Sequence, residues 1–195
     1  MIRFSLIVSL VLTVFPAFGQ TVSLEHELIE QRKPFYVPDT VVMQTAGYLG
    51  ALSVGAGYQV TSRYSLDIGF GYTPKSLGGK AIRSISVKNS FDLLPWVTQS
   101  APEWSFNLGL GALFGLDRDL FFILPKQYPR YYYPPTALRG LLFGSFGYTF
   151  DSGVLCYLEW SLHDSEIAGY VRSPYANPDD IGSYGIGVRW PLSSI

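Results

Sequence analysis

An all-β fold, an antiparallel up-and-down transmembrane β-barrel of eight strands, is the class this sequence predicts, and three observations predict it. Large apolar side chains alternate with Gly, Ser and a few charges at period two, in segment after segment. Most of those segments run about 9–12 residues, long for a strand of a water-soluble domain and right for crossing a bilayer at a tilt. The 195 residues are only 15% charged and 16% aromatic, yet the mean hydropathy is just +0.19. An average globular chain is about 25% charged. Low charge with modest hydropathy requires an apolar face and a small or polar face on the same segments, whereas helical spans would raise the mean much further.

Taken in order, residues 1–19 read as an export signal. Arg3 supplies a positive start, Phe4 to Phe15 an apolar core too short to span a membrane as a helix, and Ala17-Phe18-Gly19 a small–x–small cleavage site. Cleavage is expected before Gln20, leaving 20–195 as a single barrel domain.

Seven segments alternate clearly. In Tyr48–Val60, Leu52, Val54, Ala56 and Tyr58 oppose Ser53, Gly55, Gly57 and Gln59, with Leu49 as an exception. In Tyr64–Tyr72, Leu66, Ile68 and Phe70 oppose Ser65, Asp67, Gly69 and Gly71. Ile82–Leu93 sets Ile85, Val87 and Phe91 against Ser84, Ser86, Lys88, Ser90 and Asp92. Trp104–Phe114 sets Trp104, Phe106, Leu108 and Leu110 against Ser105, Asn107, Gly109 and Gly111. Leu138–Phe150 follows the rule except at Leu141 and Phe143. Val154–Leu162 and Ile181–Trp190 complete the set. An even strand number is the norm for a single-chain barrel, so Thr21–Leu28, where Val22, Leu24 and Leu28 oppose Ser23, Glu25 and Glu27, is taken as the first strand.

That assignment alternates long connections (Ile29–Val42, Thr73–Ala81, Gly115–Ala137, His163–Asp180) with shorter ones (Thr61–Arg63, Leu94–Glu103, Asp151–Gly153). Long external loops and short internal turns are what outer-membrane barrels show. The large apolar face is too apolar for water, and the small face carries too little charge for a soluble exterior but suits a tight lumen. Its charges, Asp67, Lys88, Asp92, Arg139, Glu159 and Arg189, balance and are expected to pair.

Ser183-Tyr-Gly185-Ile-Gly-Val188-Arg-Trp190 resembles the C-terminal signal by which outer-membrane barrels are recognised by their assembly machinery, although Pro191–Ile195 follow it. The chain from Gln20 on resembles the small eight-stranded class of OmpX- and OmpA-type barrels. Leu52–Tyr58, Gly71–Ser76 and Ile181–Trp190 also resemble a family of outer-membrane barrels that carries no assigned activity. The resemblance implies the bacterial outer membrane as location, its lipid and the assembly machinery as partners, and no chemistry.

Composition excludes several classes. A net charge of −1 lacks the basic excess of a nucleic-acid binder, and the single Cys156 permits neither an internal disulfide nor a multi-cysteine zinc site. No phosphate-loop, haem or flavin motif is present, and Asp117-Arg118-Asp119 and Asp179-Asp180 lack the ligand spacing of a calcium loop. No cofactor or metal is expected.

Two constellations remain. His163-Asp-Ser165 with Asp179 downstream resembles the His-x-Ser motif of outer-membrane lipid A 3-O-deacylases, which would make His163 the base, Ser165 the nucleophile and Glu166 or Asp179 the orienting acid. Glu166 stands where that family has Asn, and strand parity turns His163 and Ser165 toward the lumen. The second is the loop 116–136, where Lys126, Tyr128, Arg130, Tyr131, Tyr132 and Tyr133 interleave cations with aromatics, a composition that stacks on sugars or grips a protein. Tyr36, Tyr170, Arg172 and Tyr175 are expected in neighbouring external loops. The leading expectation is a non-enzymatic barrel, structural or binding at the surface through these loops. The alternatives are an esterase using His163 and Ser165, or a narrow transporter of small apolar molecules.

Overall fold

In a computed structural model, the described residues are 34, 36–94, 103–117, 120, 137–172 and 182–192. The chain divides into Met1–Pro34 and Phe35–Ile195, and the barrel is the second unit. Its strands are β1 (Thr40–Ala46), β2 (Leu52–Gln59), β3 (Tyr64–Thr73), β4 (Ile82–Asp92), β5 (Trp104–Gly115), β6 (Leu138–Thr149), β7 (Leu155–His163) and β8 (Ser183–Pro191). Each pairs antiparallel with the next and β8 pairs with β1, closing an eight-stranded wall in chain order. A helical turn, Lys75–Gly78, follows β3, and a helix, Asp164–Arg172, follows β7.

The first strand differs from the sequence expectation. Thr21–Leu28 lies outside the described residues, and the eighth strand of the wall is Thr40–Ala46, part of which was assigned to an external loop. This strand pairs with β8 from Thr40↔Pro191 to Ala46↔Gly185 and with β2 from Thr40↔Gly57 to Gln44↔Ser53. The alternation there is disguised, because Val42 and Gln44 face inward while Met43 and Thr45 face out. No glycine marks the inner face, and one inward residue is apolar. What selects the segment is a short hairpin link and a partner for Gln44 inside the barrel. Tyr36 therefore precedes β1 at the short-turn end and does not join the external loops.

The other seven segments form strands with the expected faces, except that Tyr48–Ala51 belongs to the β1–β2 link, which turns Tyr48 toward the barrel mouth, and the strand there begins at Leu52. Met43, Leu52, Val54, Phe70, Leu108, Leu110, Phe146, Ile186 and Trp190 stand outward and exposed, and the inward positions hold Ser, Gly and the charges. Connections 74–81, 116–137 and 164–182 leave one end, joined by the short β1–β2 link 47–51, while turns 60–63 and 150–154 lie at the other. Trp104, Phe146, Tyr148 and Phe150 cluster outward toward the short-turn end, with ring centroids 4.9–5.2 Å apart.

The exceptions to the alternation turn out to fill the lumen. Leu141, Phe143 and Leu49 are buried. Phe143 fits because Gly109 faces it across β5 and β6, where a Cβ would run into the ring. Leu49 enters because the β1–β2 link folds inward, with left-handed backbone at Ala46 and Gly47, and because Gly71 leaves room for the Leu49 carbonyl.

Candidate functional site

At mid-height the lumen is closed by side chains. Lys88 and Glu159 form a buried ion pair, with side chains 6% and 4% exposed. Gln44, 1% exposed, donates to the Glu159 carboxylate at 3.2 Å, while its own carbonyl oxygen accepts from the Tyr157 hydroxyl at 3.1 Å. Lys88 also lies 4.3 Å over the Phe143 ring. Closer to the short-turn end, Arg189 holds Asp67 at 2.7 Å. Asp92 accepts the backbone N–H groups of Leu94 and Phe106 at 3.1 and 3.3 Å. Arg139 lies 3.8 Å from Asp164 at the long-loop end. The six inward charges thus meet either an opposite charge or backbone donors. This plug was legible as a balanced set of charges, whereas Gln44 and Tyr157 carried no signal of their part in it.

Above the plug, at the long-loop end, lies a cavity of about 450 Å³. The β1–β2 link contributes Tyr48 and Leu49, β5 contributes Leu113, Leu120 and Ala137 come from the connection before β6, and Arg139 from β6 itself. Small residues (Ala46, Gly47, Gly50, Ala51, Gly115) line much of the rest and leave the space open.

His163 ends β7 on the inward parity, and Ser165 and Glu166 lie in the first turn of the helix that follows. The His163 Nδ1 accepts the Glu166 backbone N–H at 3.3 Å and lies 2.9 Å from the Ser165 hydroxyl. His163 therefore caps the helix, satisfying one of its free N–H groups. With Nδ1 accepting, the ring proton sits on Nε2, facing the Glu166 carboxylate at 3.7 Å. Tyr48 donates its hydroxyl to the same carboxylate, and its ring packs on His163 with centroids 4.4 Å apart. Ser165, His163 and a carboxylate do come together, and the carboxylate is Glu166; Asp179 lies outside the described residues. So do Lys126, Tyr128, Arg130, Tyr131, Tyr132, Tyr133 and Tyr175. Tyr170 is exposed on the helix Asp164–Arg172 at the long-loop end.

Burial, and then the adjoining Glu166 carboxylate, push the Tyr48 phenol well above its ordinary value of 10. Ionisation near pH 10 is therefore confined to the unfolded chain. Tyr48 lends stability in full below that pH and loses it as pH climbs toward the folded value. A difference ultraviolet titration of the protein against Tyr48→Phe is expected to show no tyrosinate step near pH 10 from this residue. A normal step would mean that the Tyr48–Glu166 contact does not form.

Among the described residues no group of three or more His, Cys, Asp or Glu could hold a metal ion, and no helix is long and apolar enough to cross a membrane, which says nothing of strands. No protein-family model and no curated protein matches the chain. Among solved structures, the chain is similar to the solution NMR structure of the de novo designed TMB2.3. The two are 11% identical with a TM-score of 0.43, over 80% of this chain and 95% of that one.

Proposed function

We propose that the protein is a bacterial outer-membrane barrel, exported on residues 1–19 and inserted with its long connections outside, that acts without chemistry as a structural element or surface binder at its long-loop end. The observation that carries this reading is the wall: exposed Leu, Ile, Phe and Trp side chains encircle the outside, while ion pairs and serines fill the inside. A soluble barrel reverses that distribution, and lipid is the solvent that suits this one. The side-chain plug at Gln44, Lys88, Glu159 and Phe143 favours a closed barrel over a diffusion pore or a transporter. Heat-modifiability on a detergent gel of the outer-membrane fraction tests the location and fold together. A folded band that shifts on boiling is expected, and a single unshifted band from a water-soluble periplasmic fraction would overturn the reading. Binding through the loop residues Lys126, Tyr128, Arg130, Tyr131, Tyr132 and Tyr133 is tested by deleting 120–134 and screening glycan and protein ligands on whole cells.

A second reading, an acyl esterase, is favoured by the 2.9 Å approach of the Ser165 hydroxyl to His163 with Glu166 behind the ring. Lipid A of lowered acyl mass in overproducing cells, restored by Ser165→Ala, would establish it, and unchanged mass would dismiss it.

A further inference from the structure

The mouth cavity combines two features that a passive vestibule does not need. Its walls are largely apolar at the water-facing end of the barrel, with Leu49 and Leu113 turned into it and Leu120 folded back against Gly115. Filling such walls with water alone is unfavourable, and an alkyl chain would displace that water. Its cation, Arg139, is mostly buried, with a side chain 19% exposed. The Asp164 carboxylate that faces Arg139 is 3.8 Å away, at the outer limit of an ion pair, and is itself 44% exposed. Among the described residues that loose contact leaves guanidinium donors for a planar or tetrahedral oxyanion, which arginine grips with two parallel hydrogen bonds.

We infer that this cavity binds a single-tailed anionic amphiphile, with its carboxylate or phosphate head on Arg139 and its alkyl chain between Leu49, Leu113 and Leu120. The volume of about 450 Å³ lies within the range of sites that enclose small ligands. The inference deepens the surface-binding reading by naming a ligand class for the long-loop end, and it does not depend on the loop residues beyond Leu120.

The test is equilibrium dialysis of decanoate against the full-length protein in phosphatidylcholine nanodiscs, with empty discs as background. Saturable binding above background is expected, with decanol, which lacks the charge, at least tenfold weaker. Arg139→Gln is expected to weaken decanoate at least tenfold. Arg83→Gln removes the same charge from an exposed site on the outer wall and is expected to leave binding unchanged. Leu113→Trp fills the cavity and is expected to abolish binding with Arg139 in place, so it decides the matter if Arg139→Gln does not fold. Decyl phosphate in place of decanoate, and discs containing phosphatidylglycerol as competitor, separate a soluble carboxylate from a lipid phosphate as the source of the head group. No saturable binding, or equal losses in Arg139→Gln and Arg83→Gln, would overturn the inference. A protein that enters discs and binds nothing would leave the membrane reading standing. One that binds decanoate yet stays water-soluble would do the reverse.

Discussion

Lys88→Met is expected to destabilise the barrel by about 3–5 kcal/mol, because it strands the Glu159 carboxylate in the closed lumen. Lys88 and Glu159 are each more than nine-tenths buried, and among the described residues Gln44 is the one further donor to the carboxylate. Charge removal from one side leaves an unpaired buried ion, and that desolvation outweighs whatever the methionine gains by packing on Phe143. The double replacement Lys88→Met/Glu159→Met is expected to recover most of the loss, since the pair as a whole contributes far less than either half of it does alone. Urea unfolding of the refolded protein, followed by the shift between folded and boiled bands, measures both. A single variant within about 0.5 kcal/mol of the parent, the range of ordinary surface changes, would mean that the pair is open to water and that the lumen is not plugged.

Leu110→Arg, at the middle of β5, is expected to lower stability in a bilayer by about 2–4 kcal/mol. Leu110 stands on the outer wall at 44% exposure, between Asn89 on β4 and Leu142 on β6. In water an arginine at such a position would be close to neutral, so this substitution separates a lipid-facing wall from a solvent-facing one. The control is Lys75→Glu, on the helical turn after β3 and clear of the wall, which is expected to change little. If Leu110→Arg unfolds at the same urea concentration as the parent in vesicles, the outer face does not meet lipid. The apolar belt would then have to be covered by protein.

The period-two pattern carried most of the wall. Seven segments, their inward and outward faces, and the inward set of charges could be read from the chain, because a strand presents alternate residues to opposite faces whatever it pairs with. Three of the four expected long connections do cluster at one end, whereas Ile29–Val42 gives way to β1 and the short link 47–51 takes its place. The misses share a cause. Val42, Leu141, Phe143 and Leu49 are apolar residues that face inward, and in a barrel whose outside is also apolar, hydrophobicity alone does not say which way a side chain points.

The candidate site was less legible. His163 and Ser165 stood out as a motif, but their meeting depends on a strand that runs one residue further than the pattern indicates and on a helix that starts at Asp164. Tyr48 and Gln44 lie more than 100 residues from Glu166, Glu159 and Tyr157, and only barrel closure brings β1 beside β8 and so within reach of β7 on its far side.

By itself, then, the sequence determined that this chain alternates large apolar and small polar residues along strands long enough to span a bilayer, because that pattern is local. The tertiary structure decided which segment completes the wall, which charges pair, and where a cavity remains. Those outcomes depend on register and closure, which set residues far apart in the chain against one another, and no periodicity within a single strand encodes them.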